Sequence, residues 1–475
     1  MLTRFAASLL AGLTISVAAL PAHAQHSGHS SGATPRTSRQ DSTTAMAPSQ
    51  QSNGAGPTAS HQMWMLAIGR GWHAMGMAQV FPTMTAGTPW REETLLNTSG
   101  LYATQPAAMI NVSSPNARLV LRTTLNFEAW TQRDGELTFG GWGEGFIDSR
   151  HPHTLLHEAM LTVNWWDVGG GALSVSAGKG FAPYGTDDPM GRPAVKYPTN
   201  HHLSQVLERW TVNAAYLKSG WSLEAGLFGG GEPTGPYDFS NIESFGDSWS
   251  ARVAKRFGGD AGPSADWELS ASYASIEEEH HSDPVVTRLY NASVRHARPY
   301  KFGTLYALLE GSKSDPESAK GHYAILGETS LSTGRESRHQ PYLRLEYATR
   351  PEFERLGPPG TPDFFRYDHD AHHELGATRW LISTIGYGYE TSGLPVSVRP
   401  YVELQHNRVR AERGDIDPRA LFGSRDFWGL SAGARIFLGG GPMRMGSYGA
   451  LDPMTAAMRP RRSEPAAPHH GHGGH

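Results

Sequence analysis

Apolar and polar residues alternate along most of this chain, in short segments broken by turn residues. "WSLEAGLFG" sets Trp221, Leu223, Ala225 and Leu227 against Ser222, Glu224 and Gly226. "SWSARVAKRF" sets Trp249, Ala251, Val253 and Phe257 against Ser250, Arg252 and Arg256. "ARLVLRTTLNFEAWT" sets Leu119, Leu121, Leu125 and Phe127 against Arg122, Thr124, Asn126 and Glu128. A period of two is the β-strand period, because successive side chains leave an extended backbone on opposite faces. About 16 such segments, within a range of roughly 14–18, are predicted between residues 61 and 438. They lie near 63–81, 103–112, 117–131, 154–166, 172–181, 207–217, 221–230, 247–257, 266–276, 285–296, 300–311, 321–332, 340–349, 378–390, 395–406 and 426–438. The first is long and irregular.

Alternation suits a soluble sandwich as well as a membrane barrel. Two further patterns separate them. Most connections after even-numbered segments are tight, such as "SSPN", "VGGG", "KSG", "ARP" and "SGLP". Most after odd-numbered ones are long: 82–102, 132–153, 182–206, 231–246, 350–377 and 407–425. Outer-membrane barrels show this asymmetry, with short periplasmic turns and long outside loops, whereas a sandwich has no reason for it. Trp210, Trp221, Trp249, Trp267, Trp428, Tyr216 and Tyr273 also recur at the ends of apolar faces, where an interfacial girdle sits. The expected fold is therefore all-β, an antiparallel transmembrane barrel with polar faces turned to a lumen. Loop 132–153 or loop 350–377 is the candidate to fold inward and close it.

The ends of the chain fit export. Met1–Arg4 is basic, "FAASLLAGLTISVAALP" is apolar, and Ala22–Ala24 supplies small residues, so 1–24 reads as a cleaved signal peptide. Residues 25–60 are Ser-, Gly- and Thr-rich and are expected to be a disordered arm; 439–475 are expected to be a disordered His-rich tail. With no cysteine there are no disulfides. Charged residues make up 18% of the chain, and the net charge of −4 argues against nucleic acid as a partner. The mean hydropathy of −0.44 does not oppose a membrane location, since lipid-facing and lumen-facing residues average out in a barrel. The expected location is the bacterial outer membrane with both termini periplasmic. The expected partners are outer-membrane lipid, the barrel-insertion machinery, and small solutes or metal ions.

Candidate chemistry is histidine-based. His151, His153, His201, His202, His369, His372 and His373 fall on the long-loop side, and Glu158 joins them at the mouth. Strict alternation turns Glu158 into the lumen and His157 outward. His469, His470, His472 and His475 lie in the tail. Imidazole with carboxylate suits Zn, Cu(II) or Ni, and the thioethers of Met63, Met65, Met75, Met77 and Met84 early, and Met443, Met445, Met454 and Met458 late, suit Cu(I). Weakly bound Cu or Zn is the only cofactor these residues suggest. The bland alternatives are polar loop histidines and packing methionines. Lumen-facing Arg122, Arg209, Arg252, Arg256, Arg399 and Arg435 interleave with Glu128, Glu224, Glu268, Glu310, Glu346 and Glu403. That mixture predicts ion-pair ladders that fix strand register and fill the lumen. No Gly-x-Ser-x-Gly elbow, His-Glu-x-x-His helix or phosphate loop occurs, so no catalytic residue is assigned.

"DSRHPHTLLHEAMLTVNWW", "KYPTNHHLSQVLERWTVNAAY" and "FGGGEPTGPYDFSNIESFGDSWSARV" resemble segments of a poorly characterised family of bacterial outer-membrane β-barrels. Its members carry an Arg-x-His-Pro-His-Asp type motif and accompany heavy-metal resistance. Thr154 stands where that family has Asp, which removes one ligand from any metal site at this block. A shallower resemblance, to copper-resistance outer-membrane proteins, rests on the Met/His-rich N-terminal region. The resemblance carries no activity with it; the leading expectation is a porin-like or metal-linked outer-membrane barrel passing or binding small solutes or metal ions. The alternative is a non-conducting barrel serving as a structural or surface-binding module.

Overall fold

In a computed structural model of the chain, the described residues are 64–88, 100–131, 154–186, 191–199, 201–206, 208–231, 233, 235–239, 242, 244–259, 265–280, 283–317, 320–353, 374–391, 396–439 and 445–459. They contain seventeen strands. These are β1 (Trp64–Gly69), β2 (Trp72–Thr88), β3 (Gly100–Ser113), β4 (Leu119–Asn126), β5 (Leu156–Val168), β6 (Gly171–Gly180), β7 (Arg209–Lys218), β8 (Trp221–Phe228) and β9 (Ser248–Phe257). Then follow β10 (Trp267–His280), β11 (Asp283–Tyr300), β12 (Gly303–Pro316), β13 (His322–Ser332), β14 (His339–Phe353), β15 (Glu374–Tyr389), β16 (Ser397–Arg413) and β17 (Asp426–Leu438). The signal and arm expected over 1–24 and 25–60 lie outside the described residues.

Each strand from β2 onward pairs antiparallel with the next, and β17 returns to β2 through Trp428↔Thr88 to Leu438↔Ala78. The result is a closed barrel of sixteen strands, β2 to β17. Closure leaves no open edge among them, the condition for strands to cross lipid. The irregular first segment resolves into two strands. The chain reverses at Gly69, Arg70 and Gly71, all at positive φ, and β1 folds back on the start of β2. Trp64 pairs with Gly76, just past the point where β17 stops, so β1 prolongs the wall at the short-turn end.

The two faces of the wall are inverted relative to a water-soluble protein. Along β8 exposure alternates without a break: Leu223 is 58% and Leu227 52% exposed, while Ser222 is 0% and Glu224 7%. The same inversion, apolar side chains outside and polar ones inside, runs along β9, where Trp249 and Val253 are exposed and Ser250 and Arg252 buried. Such a surface is stable only against lipid, which makes this a membrane barrel. Trp221, Trp249, Trp267 and Trp428 are exposed near strand ends, and ring contacts such as Trp249–Tyr273 and Phe257–Trp267 knit the girdle.

Among the described residues two stretches occupy the inside. One is the β6–β7 connection, buried from Phe181 through Val206 at almost every described position. Of the loops expected to fold inward, 132–153 and most of 350–377 lie outside the described residues; among the described ones, 182–206 enters, which was not expected. The other stretch is 445–459, for which no fixed structure was expected. Met445, Tyr448, Leu451, Asp452 and Thr455 are all buried against the wall. A local signal for its order is present in "LDPMT": Asp452 caps the short helix Pro453–Ala457, accepting from the Met454 and Thr455 amides, with Pro453 in the first turn.

Candidate functional site

The lumen is the candidate site. Its wall carries two rungs of the predicted charge ladder in register: Glu224 lies directly opposite Arg252, and Arg256 opposite Glu268. A third rung, Glu328 opposite Arg344, was not singled out from the sequence. Arg252 binds Glu224 with two nitrogens, at 2.9 and 2.5 Å; Arg256 meets Glu268 at 2.5 Å and Arg344 meets Glu328 at 2.9 Å. Opposite charges facing each other across a strand pair hold that register against slippage. Arg399 and Arg435 face each other, which like charges disfavour, and they diverge. Arg399 turns to Glu390 and Gln340. Arg435 stacks on Phe81 and Phe437 and donates to the Arg192 and Pro193 carbonyls.

Those carbonyls belong to the inward β6–β7 connection, which is clamped to distant strands. The Tyr197 hydroxyl donates to Glu128 at 2.8 Å, and the Val195 amide to Glu403 at 2.6 Å. The Thr199 amide donates to Glu346 at 2.7 Å. Thr186 and Arg192 both reach Glu310, at 2.6 and 3.2 Å. Arg344 donates to the Lys196 carbonyl at 2.7 Å. Four wall carboxylates, on or beside β4, β12, β14 and β16, thus receive donors from one segment. The Lys196 ammonium is buried within reach of the Glu403 charge; burial lowers its pKa to about 8, with Glu403 pulling the other way.

The C-terminal stretch sits against β4, β5 and β6. Asp452 pairs with Arg122 at 2.9 Å, and Arg122 also donates to the Ser447 carbonyl. The Tyr448 hydroxyl donates to Glu158 at 2.8 Å and accepts from the Phe181 amide at 3.0 Å. Met77, Met109, Met160, Phe181, Met445 and Tyr448 form one apolar cluster. Met77 and Met445 thus act as inward packing residues.

The candidate metal ligands fare differently. His151, His153, His369, His372, His373, His469, His470, His472 and His475 lie outside the described residues, as does the side chain of His202. His201 is buried against Tyr197 in the short helix His201–Ser204. Glu158 faces the lumen as expected, but its partners are Thr124, at 2.6 Å, and Tyr448. Among the described residues no three His, Asp or Glu side chains gather as a metal site. The outward placement of His157 is overturned. Between Thr124↔Glu158 and Leu125↔Leu156 the register shifts, so His157 is an extra residue in a β-bulge. It is 1% exposed, its ring meets Phe181 edge-on, and its Nδ1 lies 2.5 Å from Glu208. Strict alternation fails at a bulge, which one-dimensional periodicity does not reveal. Thr154, where the family resemblance loses a ligand, is a structural residue instead. Its amide donates to Glu208 and its hydroxyl accepts from Lys179. By parity Lys179 falls on the outward row of β6, yet Phe239 of the β8–β9 connection covers it.

No family model matches this chain, and no curated protein matches it. Solved structures do. OmpT, an outer-membrane protein of Vibrio cholerae, is 12% identical at a TM-score of 0.46, covering 78% of this chain and 99% of that one. An anion-selective porin from Comamonas acidovorans is 12% identical at 0.43, covering 77% and 100%. Salmonella typhi OmpF is 11% identical at 0.43, covering 78% and 99%.

Proposed function

We propose that this chain is a porin-like outer-membrane barrel whose lumen is closed by the chain itself. In this conformation it does not conduct small polar solutes or ions. Exported behind its signal peptide, it would sit with the short turns and both termini in the periplasm. One observation carries the reading: the β6–β7 connection spans the lumen and is bonded to Glu128, Glu310, Glu346 and Glu403 on separated parts of the wall. A wet channel needs inward polar groups facing water, whereas here Arg192, Arg344 and Glu310 are fully or almost fully buried and bonded to protein. A cavity beside the second stretch, lined by Ser174, Ser176, Asn213 and Tyr448, holds ≈ 20 Å³, room for about one water molecule. Planar-bilayer recording of the purified barrel tests this. Silence across a wide voltage range is expected; a steady ohmic current from the intact chain would overturn it.

A further inference from the structure

We propose that residues 445–459 are a detachable latch on the closed lumen, and that their withdrawal from the short-turn end frees the inward connection at its root. The inference rests on the closed-lumen reading and adds the part that opens. The root of the inward connection is Phe181, immediately after β6. The Tyr448 hydroxyl accepts from the Phe181 amide, and the Phe181 ring lies over Gly446. Met445 and Tyr448 complete the apolar cluster around the same ring. Phe181 is therefore held from two sides, by the C-terminal stretch and by the wall, where Asn213 donates to its carbonyl and His157 meets its ring.

Beyond the apolar patch of Met77, Met109 and Met160 that receives Met445, the wall behind that stretch is polar. Asn111, Arg122, Thr162, Asn164, Ser174 and Ser176 turn inward there, and all are buried. A permanent core would favour apolar residues at such positions, since each buried polar group must find a partner. Several of these partners lie within the wall itself. Thr162 bonds Ser176, Ser174 bonds Asn164, and Asn111 accepts from Arg122. The wall keeps these bonds when the stretch leaves, and the remaining polar atoms gain water. The polar attachments of the stretch are gathered on a handful of wall residues: Arg122 holds Asp452, the Ser447 carbonyl and the Tyr448 ring, Tyr448 reaches Glu158 and the Phe181 amide, the Ala450 amide meets Ser174, Ser113 meets the Met458 sulfur, and Arg459 caps the Trp166 carbonyl at the rim. It follows β17 past Gly439, which is at positive φ, so it leaves without unpairing any barrel strand.

The fit at Gly449 supplies a mild key. A Cβ there would lie 2.3 Å from Ser174 Oγ and 2.4 Å from its Cβ, at a φ of 60°. Gly449→Val therefore drives the stretch off Ser174 while leaving every strand residue unchanged. The test uses the full chain, as Gly449→Val and, separately, Asp452→Ala. Each is combined with Ser176→Cys, which introduces the one thiol into a cysteine-free protein. Folding is checked by strand content and heat-modifiable migration; Tyr448→Phe serves as a gentler third variant should either fail to fold. In the chain carrying Ser176→Cys alone, the introduced thiol is expected to resist a charged, impermeant maleimide, and the bilayer to stay silent. In the latch variants labelling is expected to accelerate by about tenfold or more, as for a local opening, and discrete conductance steps to appear. Folded variants with unchanged labelling would show a permanent core element and overturn the proposal. Faster labelling without conductance would overturn it too, since the latch would then hold nothing shut. A conducting intact chain instead refutes the closed-lumen reading, so the two failures are told apart.

Discussion

Among the described residues, two segments enter the same lumen and hold to it by different means. The β6–β7 connection presents donors to buried carboxylates on distant strands and carries Arg192, whose side chain is fully buried. The C-terminal stretch offers thioethers, one phenol and one carboxylate to a wall that satisfies much of itself. The first is fixed because letting go would strand charges in protein. The second is removable because letting go exposes groups that water accepts. What separates a strut from a latch is the fate of the partners it leaves behind.

The sharpest way to break this contrast is to remove one carboxylate on each side. Glu310→Ala takes the charge partner from a guanidinium that remains buried. A loss of about 3–5 kcal/mol in unfolding free energy is expected, the cost of breaking a buried pair from one side. Urea unfolding in lipid or detergent reads it. Asp452→Ala breaks a pair of similar geometry, 2.9 Å between Arg122 and Asp452. Here the stretch can leave and water can reach Arg122, so the loss is capped near the docking energy of the stretch, about 1–2 kcal/mol. Equal losses for the two variants would remove the distinction.

The bulge at His157 comes next in size. His157→Ala removes both the ring against Phe181 and the partner of Glu208 Oε1. Glu208 sits at a φ of 60°, a conformation the neighbouring bonds must hold. A destabilisation of about 2 kcal/mol is expected, on the scale of a lost buried bond to a charged group, read by the same unfolding curves. His157→Gln, which can still donate to Glu208, should recover part of it.

How much of this was legible beforehand follows from what periodicity can encode. Ser222 and Glu224 against Leu223 and Leu227 is a one-dimensional record of a two-sided wall, and closing the wall added nothing to it. The opposed pairs Glu224–Arg252 and Arg256–Glu268 followed from the same alternation once neighbours were paired. His157 escaped because one extra residue reverses parity locally, and nothing in "HTLLHEAM" marks it. The tail escaped because composition hid a short local motif. Asp452–Pro453 is a helix start, but its docking depends on Arg122, near the opposite end of the barrel sequence. The inward turn of 182–206 escaped for a related reason. Its anchors, Glu128, Glu310, Glu346 and Glu403, were recognised as lumen residues, while the donors that use them are scattered through the loop.

Lys196 sharpens the contrast through pH. Its ammonium is buried within the fixed segment, and its pKa falls to about 8 by burial, against 10.5 for an ordinary lysine. Between those values the unfolded chain binds more protons than the folded one, so stability must rise with pH across that window and level off above it. Below the folded value the buried charge is a standing penalty. Unfolding midpoints should therefore climb from about pH 8 to about pH 10. Lys196→Met should be more stable than the parent at the lower end and should flatten the slope. A parent without slope would mean that Glu403 or another neighbour compensates the charge in full.

The smallest expected effect lies outside the lumen, and it isolates environment from geometry. Arg425 meets Asp417 at 3.1 Å, close to the Arg122–Asp452 separation of 2.9 Å, but here both partners are about half exposed. Water already solvates each ion, and salt screens what remains. Arg425→Ala should leave the unfolding midpoint unchanged within error. Asp417 is held below the usual carboxylate range first by the Arg419 amide, which it caps, and only then by Arg425. Asp417→Ala should therefore lower the local order of the Pro418–Phe422 turn, read by faster amide exchange there, while the barrel midpoint again stays put. If Arg425→Ala destabilised the barrel as much as Asp452→Ala, distance alone would govern these pairs, and burial could not be what distinguishes the latch from the rim.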